Sequence, residues 1–426
     1  MRRALAIALL FAASSAAADP VDDLGFGAAS LGQAGARTAT ATGAEAAHYN
    51  PAGLALGPRP QLLIGWGVGA MRLKIDDAPA DVLDARGTRL GLAIPVRSGD
   101  WSVGAGLGLY LPDQFLARVQ LIPPTEPHFV LLDNDPHRAT VDVGAAIGYR
   151  DRFAIGAGAS IFADAASKQI VFDVGVVGGE KVGEAALDIS LPVRIAPMLG
   201  LWFKPHPRVR VGATARGALS LDLTLDILAN VQVAGVVTGD VLVSIRAANY
   251  YTPARVTGGV AVDVTDDITI AGDLIWQRWS AFGSGLPDLR VLVALDLTPP
   301  LVSTTNPPAN FEDTLGARLG AELRRGGPRT RWALRGGWAY VPSPVPAQTG
   351  LTSFADGDRQ IFTLGGGITL ADWAPILTRP VALDLALGWQ HVAHQLTAKD
   401  TPSYPGEAFS SGGDILQATL SSTIEF

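Results

Sequence analysis

Residues 331–340 read RWALRGGWAY, and this stretch carries the pattern that decides the fold. Its even positions hold mostly large apolar residues, and its odd positions hold small or charged ones. Successive side chains of a β-strand point to opposite faces, so the alternation predicts a strand with one apolar face. The same two-residue period recurs along the chain, most clearly at 141–149, 209–223, 314–324 and 381–390.

The alternating runs are longer than the strands of ordinary soluble sheets. They span roughly 10 to 15 residues, whereas strands in globular proteins mostly have about 5 or 6. Such a run crosses a bilayer at a tilt of about 45°, and lipid requires a closed barrel because an open sheet edge leaves backbone groups unsatisfied. We therefore predict an all-β fold, a membrane-spanning antiparallel β-barrel of fourteen strands. The predicted strands are 60–75, 86–97, 101–111, 138–150, 153–172, 183–203, 208–224, 253–264, 268–280, 311–325, 329–341, 359–371, 380–397 and 412–426.

The connections between these strands alternate between short and long. This rhythm is typical of bacterial outer-membrane barrels, which have short periplasmic turns and longer extracellular loops. We expect the periplasmic turns at 97–100, 150–152, 205–207, 265–267 and 326–328. We expect the extracellular loops at 112–137, 225–252, 281–310, 342–358 and 398–411.

Both ends of the chain carry features of an exported envelope protein. Residues 1–18 have a cationic start, an apolar stretch and a small-residue site, which together predict a signal peptide cleaved before Asp19. The alternating last strand ends on Phe426 and resembles the terminal strand that the outer-membrane assembly machinery recognises. We therefore expect a location in the outer membrane of a Gram-negative bacterium, with outer-membrane lipid, lipopolysaccharide and the assembly machinery as partners.

Composition excludes several other classes of function. A formal charge of −7 and a pI near 5.4 argue against nucleic acid as a partner. The absence of cysteine excludes a thiol nucleophile and Cys-ligated metals. His391 and His394 stand three apart, and on a regular strand they would point to opposite faces, away from a shared metal. The common hydrolase, phosphate-loop and metalloprotease motifs do not occur, so we predict no enzyme activity, no cofactor and no metal site.

Residues 19–59 are rich in alanine and glycine and show no strand alternation, which leaves 60–426 as the barrel. A wide barrel needs either water or a plug in its lumen, so we expect this segment inside it. Within the segment, Asn50-Pro51-Ala52 follows a glycine-rich run. This arrangement resembles the N-terminal hatch of the FadL/TodX family of outer-membrane transporters, and the resemblance continues at 251–254, 273–282 and 334–344.

The resemblance implies a fourteen-stranded barrel with an N-terminal plug, in which Asn50, Pro51 and Ala52 form the hatch motif. It also implies plug-gated, passive uptake of hydrophobic molecules such as long-chain fatty acids or aromatic hydrocarbons. A general porin, or a structural or adhesive barrel without a specific ligand, is the alternative.

Two groups of inward-facing residues are candidates for function. Arginine binds carboxylates through paired hydrogen bonds, so one group would contact either a ligand or the plug: Arg194, Arg216, Arg318 and Arg335. Three glycines alternate in the third predicted strand: Gly104, Gly106 and Gly108. Glycine in a strand often marks a bulge or a close backbone approach. These glycines therefore mark either a kink that opens the wall sideways, as the resemblance implies, or space for the plug.

Overall fold

The computed structural model describes residues 24–114, 126–134, 138–162, 170–177, 180–190, 194–233, 237–283, 288–295, 309–346, 348, 352–371, 379–399 and 408–426. The predicted signal peptide, 1–18, lies outside the described residues. Among the residues described, no helix is long and apolar enough to cross a membrane.

Strands dominate the described chain. They are β1 Gln61–Ile75, β2 Ala78–Pro79, β3 Ala85–Ser98, β4 Trp101–Pro112, β5 Thr140–Tyr149, β6 Phe153–Phe162, β7 Ile170–Val177, β8 Glu180–Ser190, β9 Arg194–His206, β10 Val209–Arg216, β11 Leu219–Val233, β12 Val237–Thr252, β13 Ala254–Asp263, β14 Ile268–Arg278, β15 Asp288–Leu295, β16 Thr314–Gly326, β17 Thr330–Val341, β18 Arg359–Leu370, β19 Val381–Thr397 and β20 Phe409–Glu425. The helices are short. The α-helices are Ala28–Leu31, Ala46–Tyr49 and Val130–Asn134, and the 3₁₀-helices are Gly43–Glu45, Pro51–Ala55 and Trp279–Ala281.

Fourteen of the strands form one antiparallel sheet that closes on itself, which confirms the predicted barrel. Their order is β1-β20-β19-β18-β17-β16-β14-β13-β10-β9-β6-β5-β4-β3, and β3 pairs again with β1. The two-residue β2 is appended to β1. The seam between the first and last strands is long, because β1 pairs along its whole length with β20, from Gln61 opposite Glu425 to Ile75 opposite Ser411.

The alternating pattern separates the two faces of the wall. On β19, Leu383, Leu385 and Leu387 are each about half exposed, whereas Asp384 and Ala386 between them are buried. Large exposed apolar side chains on the outside of a closed barrel match the apolar band that such barrels turn to lipid. Parity fails at one bulge, between Val392 and Gln395. As a result His391 and His394 are both exposed, contrary to the expectation that they point to opposite faces.

The structure corrects three of the predicted strands, because each of them is divided. The predicted strands 153–172, 183–203 and 208–224 contribute β6, β9 and β10 to the barrel, whereas their residues within β7, β8 and β11 belong to a second sheet. This sheet has the order β15-β12-β11-β8-β7 and joins the loops after β6, β10 and β14. The predicted loops 225–252 and 281–310 therefore also contain strand residues. Alternation marks a strand but does not say which sheet it joins.

The chain before β1 forms a compact element that we call the N-terminal segment, residues 24–57. It consists of short helices and turns, and most of its residues are buried. Leu31, Ala46, Asn50 and Ala52 are at most 1% exposed. The contacts that bury them come from barrel strands, and those contacts form the candidate site.

Candidate functional site

The N-terminal segment is hydrogen-bonded to strands on several sides of the barrel. The Ala28 N–H donates to Ser421 Oγ on β20 at 3.1 Å, and the Ala34 N–H donates to Thr363 Oγ1 on β18 at 3.1 Å. The Thr38 N–H and hydroxyl both donate to Asp273 Oδ2 on β14, at 3.0 and 2.8 Å. β18 is two strands from β20 in the sheet order, and β14 is three strands from β18, so the segment bridges a wide arc of the inner face.

Asn50 is at the centre of the segment's attachment to β9. Its backbone is extended, with φ of −155°, because the proline that follows disfavours a helical conformation at this position. Its Oδ1 accepts from the Ala52 N–H at 3.1 Å and so caps the 3₁₀-helix Pro51–Ala55. Its Nδ2 donates to Thr38 O at 2.8 Å and to Leu201 O at 3.0 Å. One buried amide therefore joins two turns of the segment to the backbone of the wall.

Glycines in the wall make this close approach physically feasible. A Cβ at Gly200 would overlap Asn50 Oδ1, and a Cβ at Gly156 would overlap the Ala52 N–H. The three glycines of β4 serve the same purpose. A Cβ at Gly104 or Gly106 would overlap Leu54, and one at Gly108 would press on Phe26. β4 pairs with β3 and β5 without a register shift, and its glycines lie directly against the segment.

The four candidate arginines occupy different surroundings. Arg216 donates to the backbone carbonyl of His48 at 2.5 Å, and Arg318 is buried close to Gly35. Arg335 lies between two carboxylates of the wall, 2.7 Å from Glu322 and 2.6 Å from Asp384. Arg194 is exposed at the start of β9. The structure thus brings Arg216 and Arg318 to the N-terminal segment and pairs Arg335 with the protein's own carboxylates.

A buried polar cluster around His48 was not singled out from the sequence. His48 Nδ1 lies 2.7 Å from Asp142 Oδ2 on β5, and Ser160 on β6 donates to the other oxygen of the same carboxylate. Within the segment, Arg37 pairs with Glu45 at 3.0 Å. His48 directly precedes the Tyr49-Asn50-Pro51 run, but the alternation rule identifies no partner for a residue outside the strands.

Apolar side chains gather toward the extracellular ends of the strands. One group, the aromatic cluster, comprises Tyr251, Trp279, Phe282, Phe311 and Phe354, whose neighbouring rings lie 4.9 to 6.2 Å apart. A second, aliphatic cluster contains Met71, Leu73, Leu132, Val392 and Ile415. Ala34 belongs to the first cluster and Leu24 to the second, so both clusters reach the N-terminal segment.

Two extracellular loops meet over these clusters. The His128 N–H donates to Ser353 O at 3.2 Å, and the Ala355 N–H donates to His128 O at 2.8 Å. The His128 ring contacts Phe354 at 5.6 Å. Burial lowers the pKa of His128 and raises the pKa of the nearby Asp356, so both side chains are biased toward their uncharged forms.

Comparisons with known proteins agree with this architecture. A family model described as "Outer membrane protein transport protein (OMPP1/FadL/TodX)" matches residues 195–410, just over half of the 426 residues. No curated protein matches the sequence.

Several solved structures share the fold at low sequence identity. A Pseudomonas aeruginosa FadL homologue aligns with a TM-score of 0.60 at 16% identity, covering 94% of this chain and 98% of that one. The CymD monoaromatic hydrocarbon channel aligns with a TM-score of 0.55 at 17% identity, covering 95% and 98%. The Pseudomonas putida toluene transporter TodX aligns with a TM-score of 0.55 at 17% identity, covering 95% and 99%.

Proposed function

Because the chain belongs to the OMPP1/FadL/TodX family of outer-membrane transport proteins, we propose that it is a passive channel for hydrophobic small molecules. The substrates proposed are long-chain fatty acids or aromatic hydrocarbons, and no catalytic step is involved. Two similar structures are described as a monoaromatic hydrocarbon channel and a toluene transporter, which supports this substrate class.

One observation carries the proposal: the apolar lining of the extracellular half ends on the N-terminal segment. The aromatic cluster includes Ala34, and the aliphatic cluster includes Leu24. A hydrophobic molecule gains free energy from apolar surroundings without needing directed bonds. It is therefore able to replace contacts in these clusters and to reach the segment, beyond which the inner face becomes polar.

In this proposal the N-terminal segment acts as the gate. It is attached to the wall mainly through single hydrogen bonds, each worth about 0.5–1.5 kcal/mol net. Such bonds can break and re-form individually, so a shift of the segment does not require the barrel to unfold. Asn50 links the segment's own turns to the wall, since its side chain bonds Thr38 and Ala52 within the segment and Leu201 on β9.

The test is uptake of labelled oleate and labelled toluene by cells that lack their own transporter. Four proteins are compared: the wild type, Asn50→Ala, a deletion of 24–55, and Thr42→Ala. Thr42 is exposed in the same segment and serves as the matched control. Heat-modifiable gel migration checks that each barrel is folded.

We expect Thr42→Ala to match the wild type, whereas Asn50→Ala and the deletion change the uptake rate. If all four folded barrels take up both compounds equally, the segment does not gate passage. If none takes up either compound, transport of these substrates is excluded, while family membership and fold are unaffected.

A further inference from the structure

The lipid-facing surface of the barrel contains one apolar groove of about 680 Å³. It crosses β5, β6, β9, β10 and β13 and is walled by outward side chains, chiefly Ile147, Ile155, Leu199, Leu201 and Val256. Ile155, Leu199 and Leu201 are each 43–60% exposed, so the groove opens to the surroundings of the barrel and not to its lumen.

The groove exists because this part of the barrel wall carries small side chains on both of its faces. The outward positions between the walls are alanines, including Ala145, Ala157 and Ala213. Ala145 pairs with Ala157, and the inward residues beside them include Gly156 and Gly200. Because the side chains on both faces of the wall are small here, the strand backbones form the floor of the groove.

The groove lies in the periplasmic half of the membrane. Ile147 and Ile155 lie three positions from the turn 150–152, and a strand rises about 3.3 Å per residue. Phe153 and Phe203 pair at the lower margin, and both are nearly half exposed. Aromatic side chains in that position mark the membrane–water interface of outer-membrane barrels.

The chain ends of these strands carry positive charge. Residues 150–152 and 204–208, which lie at the periplasmic end of β5, β6, β9 and β10, contain four Lys or Arg residues and a single acidic residue. Arg150 pairs with Asp100 and Arg208 with Asp266, so Arg152 and Lys204 are the two cations offered to a head group. An apolar groove that ends at a cationic interface complements a molecule with a hydrocarbon chain and an anionic head group.

We propose that this groove binds one anionic glycerophospholipid of the periplasmic leaflet, with an acyl chain in the groove and its head group at residues 150–152 and 204–208. The inference goes beyond the transport function and does not depend on which compound crosses the channel. Close van der Waals packing against the apolar walls holds the chain, because lipid tails are as apolar as these side chains and the hydrophobic effect adds nothing within the bilayer. The cations supply selectivity for the head group.

The groove is also directly behind the Asn50 attachment. Gly156 and Gly200 form part of the floor of the groove. On the inner side of the wall, Gly156 contacts Ala52 and Gly200 contacts Asn50. A chain held in the groove therefore supports, from outside, the stretch of wall that holds the N-terminal segment.

Native mass spectrometry of the full-length purified protein tests the proposal. The protein is incubated with palmitoyl-oleoyl phosphatidylglycerol, with its phosphatidylcholine counterpart, or with oleate, and retained molecules are counted. Three variants are compared with the wild type: Ala157→Trp, which fills the groove; Arg152→Gln with Lys204→Gln; and Ala321→Trp. Ala321 is an exposed outward alanine on β16, five strands away, and is the matched control.

We expect the wild type and Ala321→Trp to retain one phosphatidylglycerol, in preference to phosphatidylcholine. Ala157→Trp should abolish retention, and the double variant should lower it by about fivefold per cation removed, as for basic residues near an anionic membrane surface. Equal retention by wild type and Ala157→Trp would overturn the groove assignment. Equal retention of the two phospholipids, or retention of oleate in their place, would overturn the choice of occupant.

Discussion

The two halves of the barrel's inner face differ in the kind of contact they make. Toward the extracellular side, aromatic and aliphatic side chains pack against each other and against Leu24 and Ala34. Toward the periplasmic side, buried charges are paired, as in Glu322–Arg335–Asp384. Apolar contacts are non-directional, so a hydrophobic guest is able to take them over. Ion pairs and hydrogen bonds are directional and fix one geometry. In the function proposed above, the first half admits the hydrophobic guest and the second half holds the segment in place.

The largest expected effect tests the polar half. Arg335→Ala removes the cation that pairs with Asp384 and leaves Glu322 with Arg324 alone. Removing one partner from a buried ion pair costs about 3–5 kcal/mol, so the urea unfolding midpoint in lipid vesicles should fall strongly. Arg331, exposed on the same strand, is the control, and Arg331→Ala should change stability by less than about 0.5 kcal/mol. Similar losses in the two variants would show that the polar half does not depend on buried pairing.

A second prediction separates attachment of the segment from stability of the barrel. Asn50→Asp keeps the acceptor for the Ala52 N–H but removes both donors and places a carboxylate against Thr38 O and Leu201 O. A buried group left unsatisfied costs about 1–3 kcal/mol. We expect faster proteolysis of residues 24–57 in a folded barrel, with Thr42→Asp unchanged. Unchanged protection in Asn50→Asp would mean that the segment is held elsewhere.

A third prediction sharpens the assignment of the apolar half. Phe311 contacts Trp279, Phe282 and Phe354 through ring edges and faces. Phe311→Leu keeps the site apolar and should cost less than about 1.5 kcal/mol of stability. It removes the aromatic partner, so toluene uptake should fall relative to oleate uptake. Leu319→Phe on the lipid-facing side is the control. An unchanged ratio of toluene to oleate uptake in Phe311→Leu would show that substrates do not pass through the aromatic cluster.

The smallest effect concerns the loops above the apolar half. Burial depresses the pKa of His128 below its ordinary value of 6.5. The folded form therefore binds fewer protons, so its contribution to stability is complete above pH 6.5 and is lost as pH falls through that value. Hydrogen exchange at the Ala355 N–H, which donates to His128 O, should show a lower protection factor at pH 5.5 than at pH 7.5. His128→Gln should abolish this difference, and a pH effect that persists in it would assign the titration to another group.

The barrel could be predicted from sequence because each strand repeats one simple rule. Alternation places Leu385 outside and Asp384 inside without reference to any distant residue, and the short turns set the order of strands. The family resemblance is confirmed by the family match over residues 195–410, whereas the hatch motif at Asn50-Pro51-Ala52 lies outside that match and stays a prediction. The same local rule works poorly where the fold depends on distant partners. It does not indicate that 219–233 leaves the barrel for a second sheet, or that a bulge at 392–395 moves His394 to the outer face.

The candidate site was less predictable than the wall. Asn50 was identified, but its partners are backbone carbonyls at Thr38 and Leu201, which no side-chain pattern indicates. The glycines of β4 left two interpretations open, and their contact with Leu54 could not be predicted from the strand alone. Contacts of the N-terminal segment are set by a tertiary arrangement in which residues far apart in the chain meet, so a periodic signal cannot report them.

The seam between β1 and β20 imposes an order of events on assembly. It joins Gln61 to Glu425, which are 364 positions apart in the chain. The barrel therefore closes here only when the other thirteen strand pairings have brought β1 and β20 together. The N-terminal segment is bonded to β9, β14, β18 and β20, strands made long after it. The N-terminal segment can therefore complete its contacts only when these later strands have joined the wall.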